Sequence, residues 1–199
     1  GDRTVDDWVE RPGAERDRLF TEMGEVLARV HQVAFSASGD YAIRLLRRPP
    51  EIEQVHGLAD WTAARGLLEP SEAQTFKALP LPDPGGMSVC HGDFHPVHCI
   101  VRDARISAVV DWEKAWAGNP AIDLAMTHAY LDFYCPEEVT ARFLSGYASS
   151  RPVPEGYEKA YLPVRMAQAL GMVRAWDEQG RPGPLRRAVG LYRSYLGRL

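Results

Sequence analysis

The chain has 199 residues, with 23 basic and 27 acidic side chains and a formal net charge of −4. Hydrophobic residues make up 45% and charged residues 25%, which are the proportions of a globular domain and not of a disordered segment. The small acidic excess gives no electrostatic footprint for nucleic acid, and no apolar run approaches the roughly 20 residues that cross a bilayer. We therefore expect a globular protein that binds neither nucleic acid nor a membrane.

The three cysteines, Cys90, Cys99 and Cys135, are too few and odd in number for a disulfide framework. The sequence shows no C-x-x-C pair and no charged-then-apolar leader. These features predict a cytoplasmic protein with free thiols.

The first half of the chain is predicted to be helical after a short polar beginning. Residues 1–14 are mostly polar with a lone Trp8, so we expect an N-terminal arm or linker there. In residues 15–33 the apolar side chains recur at three- and four-residue steps, which predicts an amphipathic helix. Residues 51–66 and 70–79 are predicted as two further helices.

The middle of the chain is predicted to hold a small β element between helices. Residues 87–90 are a short strand candidate, and two apolar, β-branched segments follow as a predicted β-hairpin, at 99–102 and 106–110. The helical pattern then returns in residues 122–134, 137–149, 157–178 (with a kink at Pro163) and 184–199. The sequence therefore predicts an α+β fold that is mainly helical.

The densest polar cluster is the run CHGDFHPVH from Cys90 to His98, and the segment DWE from Asp111 to Glu113 follows the hairpin. Asp93 lies in the loop after the short strand, and Asp111 lies at the end of the hairpin. Because a hairpin brings its two ends together, the two carboxylates can share one site. One carboxylate that accepts a hydrogen bond from an attacking hydroxyl and one that holds Mg²⁺ are typical of phosphoryl transfer.

These motifs resemble those of the aminoglycoside phosphotransferase and choline kinase-like family. The segment HGDFHP at residues 91–96 looks like the family's H-G-D-x-H-P catalytic loop, a relative of the protein-kinase H-R-D loop. Residues 111–113 resemble its I-D-W-E segment, and residues 118–125 resemble its G-x-P-x-x-D-L-A stretch. Residues 23–31 resemble its L-x-x-L-H helix, so the resemblance runs from about residue 15 to the end of the chain.

The resemblance implies a fold and a set of roles. The fold would be the C-terminal (large) lobe of the protein kinase-like fold over residues 15–199, with the small β-hairpin carrying the catalytic loop. Asp93 would be the catalytic base or hydroxyl-orienting group, and Asp111 would bind Mg²⁺ and ATP. His91 and Asp123 would brace the loop, Asp123 by accepting backbone hydrogen bonds.

The chain departs from the family pattern at position 98. The family has Asn five residues after the catalytic Asp, where it binds metal and holds the loop. This chain has His98, which by position would share the cofactor and the metal with Asp111, although Mg²⁺ prefers oxygen ligands. A second departure is that no glycine-rich loop or lysine-bearing strand precedes the first helix. We therefore expect the ATP-covering N-terminal lobe to be absent, or to come from a separate lobe or partner chain.

Two functions of different classes follow. The resemblance implies ATP- and Mg²⁺-dependent phosphorylation of a hydroxyl on a small molecule of aminoglycoside or choline type. The alternative is a degenerate kinase-like lobe without ATP phosphotransfer, which acts as a binding or accessory protein or as a repurposed enzyme.

The same cluster permits a zinc hypothesis. The potential ligands lie within ten residues, namely Cys90, His91, His95, His98 and Cys99. Adjacent residues on an extended strand point to opposite faces, so Cys90 and His91 would diverge.

Overall fold

Short strands lie between long helices in this computed structural model, which describes residues 3–34 and 52–199. The chain divides into two compact units, one of Gly1–Arg47 with Pro84–Glu155 and one of Arg48–Asp83 with Gly156–Leu199. The mainly helical architecture with a small hairpin confirms the predicted fold class. The first residue of the predicted helix 51–66, Glu51, lies outside the described residues.

The elements are numbered in chain order. The helices are α1 (Ala14–Gln32), α2 (Ile52–Ala64), α3 (Pro70–Lys77), α4 (Pro120–Tyr134), α5 (Glu137–Ser150), α6 (Tyr157–Ala160), α7 (Leu162–Glu178) and α8 (Pro182–Leu196). The strands are β1 (Arg3–Thr4), β2 (Ser88–Cys90), β3 (Cys99–Arg102), β4 (Arg105–Val109) and β5 (Trp116–Gly118). Within the two described ranges, no helix is both long enough and apolar enough to cross a membrane.

Two small antiparallel sheets in the described part of the first unit set the spacing of the polar motifs. One sheet has the order β1-β3-β4, and the other pairs β2 with β5. Cys99 lies opposite Val109 in the hairpin, and Cys90 lies opposite Trp116 in the second sheet. Because the pairing joins the start of β3 to the end of β4, the residues just before and just after the hairpin are neighbours.

The hairpin turn is tighter than the sequence suggested. The predicted strands left three residues between them, whereas β3 and β4 are joined by Asp103 and Ala104 alone. Both residues have a left-handed backbone, with φ of 50° and 57°. That conformation is typical of a two-residue turn whose twist matches the flanking strands.

Part of the predicted N-terminal arm is built into the first unit. Arg3–Thr4 pairs with β3, and the following 3₁₀ turn, Val5–Trp8, buries both of its end residues. Side chains three residues apart eclipse each other in a 3₁₀ helix, so Val5 and Trp8 face the core together while Asp6 and Asp7 remain exposed. Residues 3–8 therefore pack into the first unit.

The predicted helix over residues 157–178 is broken and not kinked. The helix α6 ends at Ala160, and α7 begins at Leu162 with Pro163 in its first turn. Proline is tolerated there because the first N–H groups of a helix have no intrahelical partner.

The second unit is held by polar contacts around its helices. Glu72 at the start of α3 forms a two-pronged ion pair with Arg193 of α8, at 2.7 and 3.0 Å, and Tyr192 donates to the Glu72 carbonyl. Arg165 of α7 is fully buried and lies 2.7 Å from the carboxylate of Glu158. A buried guanidinium requires such a partner because desolvation of an unpaired charge costs several kcal/mol.

In the first unit, α1 and α5 approach each other so closely that one residue must lack a side chain. A Cβ at Gly24 would overlap the carbonyl oxygen of Phe143 and lie 2.6 Å from the nitrogen of Tyr147. The close crossing brings the side chain of Tyr147 to His31 at the end of α1, where the two form a hydrogen bond of 2.9 Å.

We expect Gly24→Ala to lower the free energy of unfolding by about 1–3 kcal/mol, because the helices must separate to admit the methyl group. Gly190→Ala is the matched control: Gly190 is exposed in α8 with no atom near its Cβ position. It should raise stability by about 0.5–1 kcal/mol, since alanine favours the helix. Urea unfolding of both variants measures the difference, and equal effects would contradict the close crossing.

Candidate functional site

The predicted catalytic loop joins β2 to the one-turn 3₁₀ helix Pro96–His98. Gly92 in this loop has a φ of 79°, a conformation that side chains rarely adopt. A Cβ at this position would also overlap the carbonyl oxygen of Lys114. The loop therefore passes directly against the turn that follows Asp111, and only glycine allows this approach.

Asp123 holds the loop in place through the two oxygen atoms of its carboxylate, which lie in the protein interior. The carboxylate is fully buried and accepts the backbone N–H groups of His91, at 2.7 Å, and Gly92, at 2.9 Å. Oδ2 also lies 3.0 Å from Nε2 of His31, whose Nδ1 lies 2.9 Å from the hydroxyl of Tyr147. The carboxylate thus connects α4, α1 and α5 to the loop.

The charge of Asp123 is stabilised by these partners. Burial alone would raise its pKa, but the hydrogen bond and charge of His31, followed by the N–H groups of His91 and Gly92, hold the pKa below its ordinary value. Asp123 is therefore ionised in the folded protein at neutral pH.

His91 connects the loop to the end of the hairpin. Its Nδ1 accepts the N–H of Asp93 at 3.3 Å, which leaves the hydrogen on Nε2 to donate to the carbonyl of Val110 at 3.0 Å. Burial lowers the pKa of His91, so the ring is neutral, as this pair of contacts requires. The ring of Trp112 packs on it with centroids 4.5 Å apart.

His98 makes a second connection between the same two segments. Its Nδ1 lies 2.9 Å from the carbonyl oxygen of Asp93, and its Nε2 lies 3.1 Å from Oδ2 of Asp111. The carbonyl of His98 also accepts the N–H of Val110 at 2.9 Å. Asp111 itself has a left-handed backbone, with φ of 65° and ψ of 56°, and its side chain is 42% exposed.

The carboxylate of Asp93 forms an ion pair with Lys114, a residue that was not among the predicted site residues. Nζ of Lys114 lies 2.6 Å from Oδ2 of Asp93, while Oδ1 lies 3.7 Å from Nε2 of His95. The Asp93 side chain is 23% exposed, so its carboxylate is open to solvent on one side. In the sequence Lys114 directly follows the DWE segment, but no local pattern indicates its contact with Asp93, 21 residues away.

His95 is buried beside Asp93 between aromatic rings. It stacks on Tyr130, with centroids 4.2 Å apart and planes 9° apart, and packs on His98, with centroids 3.9 Å apart. Burial, and then the charge of His98, lower the pKa of His95 to about 4.

The structure therefore brings the five predicted site residues into one connected network. They are Asp93, Asp111, His91, His98 and Asp123.

The ligands of the zinc hypothesis do not converge in the described residues. Sγ of Cys90 lies within 4.8 Å of ligand atoms of His31 and Asp123, whereas the imidazoles of His95 and His98 group with Asp93. Burial also raises the pKa of the Cys90 thiol well above its ordinary value, which opposes the thiolate that a metal requires.

Comparison with known proteins gives the family. Residues 3–162 match the model of the phosphotransferase enzyme family. The chain belongs to this family. The phosphotransferase relatives include homoserine kinase of Xanthobacter autotrophicus, which is 32% identical over 180 residues, covering 82% of this chain and 51% of the relative. Acyl-CoA dehydrogenase family member 10 of Mus musculus is 30% identical over 144 residues, covering 63% of this chain and 12% of the relative.

Solved phosphotransferase structures show the same fold. A thermostable mutant of aminoglycoside phosphotransferase APH(4)-Ia aligns with a TM-score of 0.63 at 15% identity, covering 98% of this chain and 68% of that chain. This likeness supports the kinase-like fold that the motifs implied. The chain spans between about an eighth and about half of the length of the two curated relatives named above.

We expect Asp123→Asn to lower the free energy of unfolding by about 3–5 kcal/mol, because the amide cannot accept both backbone N–H groups and satisfy His31. Asp60→Asn removes an exposed carboxylate whose partner is Lys77 and should cost at most about 1 kcal/mol. Denaturant unfolding at neutral pH measures both. A loss at Asp123 no larger than at Asp60 would contradict the bracing role.

A second expectation concerns pH. Because the folded pKa of His95, about 4, lies below its ordinary value of 6.5, the unfolded chain takes up the proton more readily. The contribution of neutral His95 to the free energy of unfolding should be fully present above about pH 6.5. It should fall as the pH drops toward 4, by at most about 1.4 kcal/mol per pH unit. Unfolding measured across this range should show a shallower slope for His95→Gln than for His56→Gln, which removes a partly buried imidazole from α2. Identical slopes would contradict the assignment.

Proposed function

We propose that this chain is the C-terminal lobe of a kinase that transfers the γ-phosphoryl group of ATP to a hydroxyl of a small molecule. One observation carries the proposal. Asp93 lies in the loop before the hairpin and Asp111 lies just after it, and hydrogen bonds of His91 and His98 join these two segments. The relatives named above include a homoserine kinase and an aminoglycoside phosphotransferase, both named for a small molecule that receives phosphate. An acceptor of aminoglycoside or choline type is the class that the motifs imply.

Asp93 is the group that orients the attacking hydroxyl. Its backbone is held by His91 and by His98, so the carboxylate has a defined position at the solvent-facing side of the loop. A carboxylate there accepts the hydrogen bond of the hydroxyl and receives its proton as the new oxygen–phosphorus bond forms and the bond from the γ-phosphorus to ADP breaks.

Lys114 reduces the electrostatic repulsion between Asp93 and the phosphates of ATP. A carboxylate beside the phosphates of ATP repels them, and the ammonium at 2.6 Å from Asp93 offsets this repulsion. The same ammonium can stabilise the charge that spreads over the transferred phosphoryl oxygens.

Asp111 fits the magnesium of Mg–ATP better than His98 does. Its carboxylate is partly exposed, and Mg²⁺ is commonly bound by one or two carboxylates together with substrate phosphates. The imidazole of His98 is a poor match for Mg²⁺, and its Nδ1 already faces the Asp93 carbonyl. When bound through Asp111, the ion would supply charge neutralisation at the phosphates.

A second function has specific support. The two carboxylates that the reaction needs are both in contact with cationic or imidazole groups, Asp93 with Lys114 and Asp111 with His98. These contacts favour a lobe that keeps the family fold without phosphotransfer and acts as a binding or accessory protein. Titration calorimetry of the full-length protein with Mg–ATP separates the two functions, since absence of binding would exclude the kinase.

The catalytic assignment has its own test. In the full-length protein, we expect Asp93→Asn to lower kcat for phosphate transfer from labelled ATP by about 10²–10⁴-fold while ATP still binds. Asp111→Asn should instead weaken binding of Mg–ATP. Asp60→Asn, a carboxylate in the second unit, is the matched control and should retain full activity. Unchanged kcat in Asp93→Asn would overturn the role of Asp93.

A further inference from the structure

We propose that Asp93, His95 and His98 form a binding site for a divalent transition-metal ion of the Zn²⁺ type. One carboxylate oxygen of Asp93 and one ring nitrogen of each histidine all lie within 4.8 Å of one another. Two imidazoles and one carboxylate are a ligand set that Zn²⁺, Co²⁺ and Ni²⁺ accept and that Mg²⁺ does not favour. Three protein ligands also leave coordination positions open for water or a phosphate oxygen.

His95 is buried directly beside the carboxylate of Asp93. The residue is only 9% exposed, and its Nε2 is the ring nitrogen that faces Oδ1 of Asp93. Stacking on Tyr130 fixes the orientation of the ring, so the imidazole is preorganised for a ligand.

The distance from Nε2 of His95 to Oδ1 of Asp93 suits a shared ion. At 3.7 Å the two atoms are too far apart for a hydrogen bond. Two ligands of a tetrahedral Zn²⁺, each about 2.0 Å from the metal, lie about 3.3 Å apart. A shift of a few tenths of an ångström would place both atoms on one ion.

His98 is oriented as metal-binding histidines usually are. A hydrogen on its Nδ1 faces the carbonyl oxygen of Asp93, which leaves the lone pair on Nε2. That nitrogen lies 3.1 Å from a carboxylate oxygen of Asp111, so two acceptors face each other unless a proton or a cation stands between them. An ion bound to Nε2 would take the place of that proton, with the negative charge of Asp111 nearby.

Lys114 opposes the ion but does not block it. Its ammonium contacts Oδ2 of Asp93 and leaves Oδ1 on the side of His95. Because the repulsion between the ammonium and the ion is electrostatic, Lys114→Met should tighten metal binding.

The site has a consequence for the proposed kinase without depending on it. An ion on Oδ1 of Asp93 occupies the carboxylate that would receive the hydroxyl proton, so the metal and the acceptor compete. Metal binding is measured directly, and its outcome is therefore separate from whether the protein transfers phosphate.

Binding of Zn²⁺ to the chelator-treated full chain, measured by equilibrium dialysis in excess Mg²⁺, tests the site. We expect about one equivalent to bind, with affinity reduced at least tenfold in His98→Asn and His95→Gln, because even outer-shell changes cost 10–100-fold. His56→Gln removes an imidazole from α2, in the second unit, and should leave the affinity unchanged. Lys114→Met should bind more tightly.

Co²⁺ as a spectroscopic probe keeps the proposal testable where a buried variant fails to fold. In the wild-type protein, Co²⁺ should shift and broaden the ring-proton NMR signals of His95 and His98 and leave those of His56 sharp. A sulfur-to-cobalt charge-transfer band would instead place the ion at Cys90 with His31 and Asp123. That band, absence of Zn²⁺ binding, or binding unaffected in His98→Asn would each overturn the proposal.

Discussion

A fully buried carboxylate, Asp123, is the feature on which the site depends. It has no solvent to stabilise its charge, so it is stable only while His31 and the N–H groups of the loop surround it. This requirement is reciprocal, because His91 and Gly92 are buried and their N–H groups are satisfied by the Asp123 carboxylate. The geometry of the loop is therefore set by charge compensation in the interior, and the partly exposed Asp93 gains its position from a residue that is itself fully buried.

Imidazole rings make most of the contacts described between the catalytic loop and the end of the hairpin. His91 and His98 each bridge the loop and the end of the hairpin, and their rings stack with centroids 6.1 Å apart. Such bridges are directional, because each ring nitrogen is either donor or acceptor. The site is consequently organised by which nitrogen carries the hydrogen, and this is why a metal ion, which replaces a hydrogen at a ring nitrogen, fits the chemistry of the cluster.

The sequence predicted most of the fold because the relevant signals are local. The period of α1, the two strands of the hairpin and the spacing from Asp93 to Asp111 can all be read from neighbouring residues. The burial of Val5 and Trp8 and the contact of Lys114 with Asp93 could not, since each depends on a segment distant in sequence. The same limit explains the zinc hypothesis: of the ligands close in sequence, Cys90 lies with His31 and Asp123, whereas His95 and His98 lie with Asp93.

The left-handed backbone of Asp111 has a consequence for how such a lobe can change over generations. Few residues accept a φ of 65°, and Asn, Asp and Gly accept it most readily. Replacement by Asn removes the charge while preserving the turn, and it needs a single nucleotide change. The position that we propose as the magnesium ligand is thus also one where a carboxylate can be lost at little cost to folding. A chain that loses this ligand can keep its architecture through that single step.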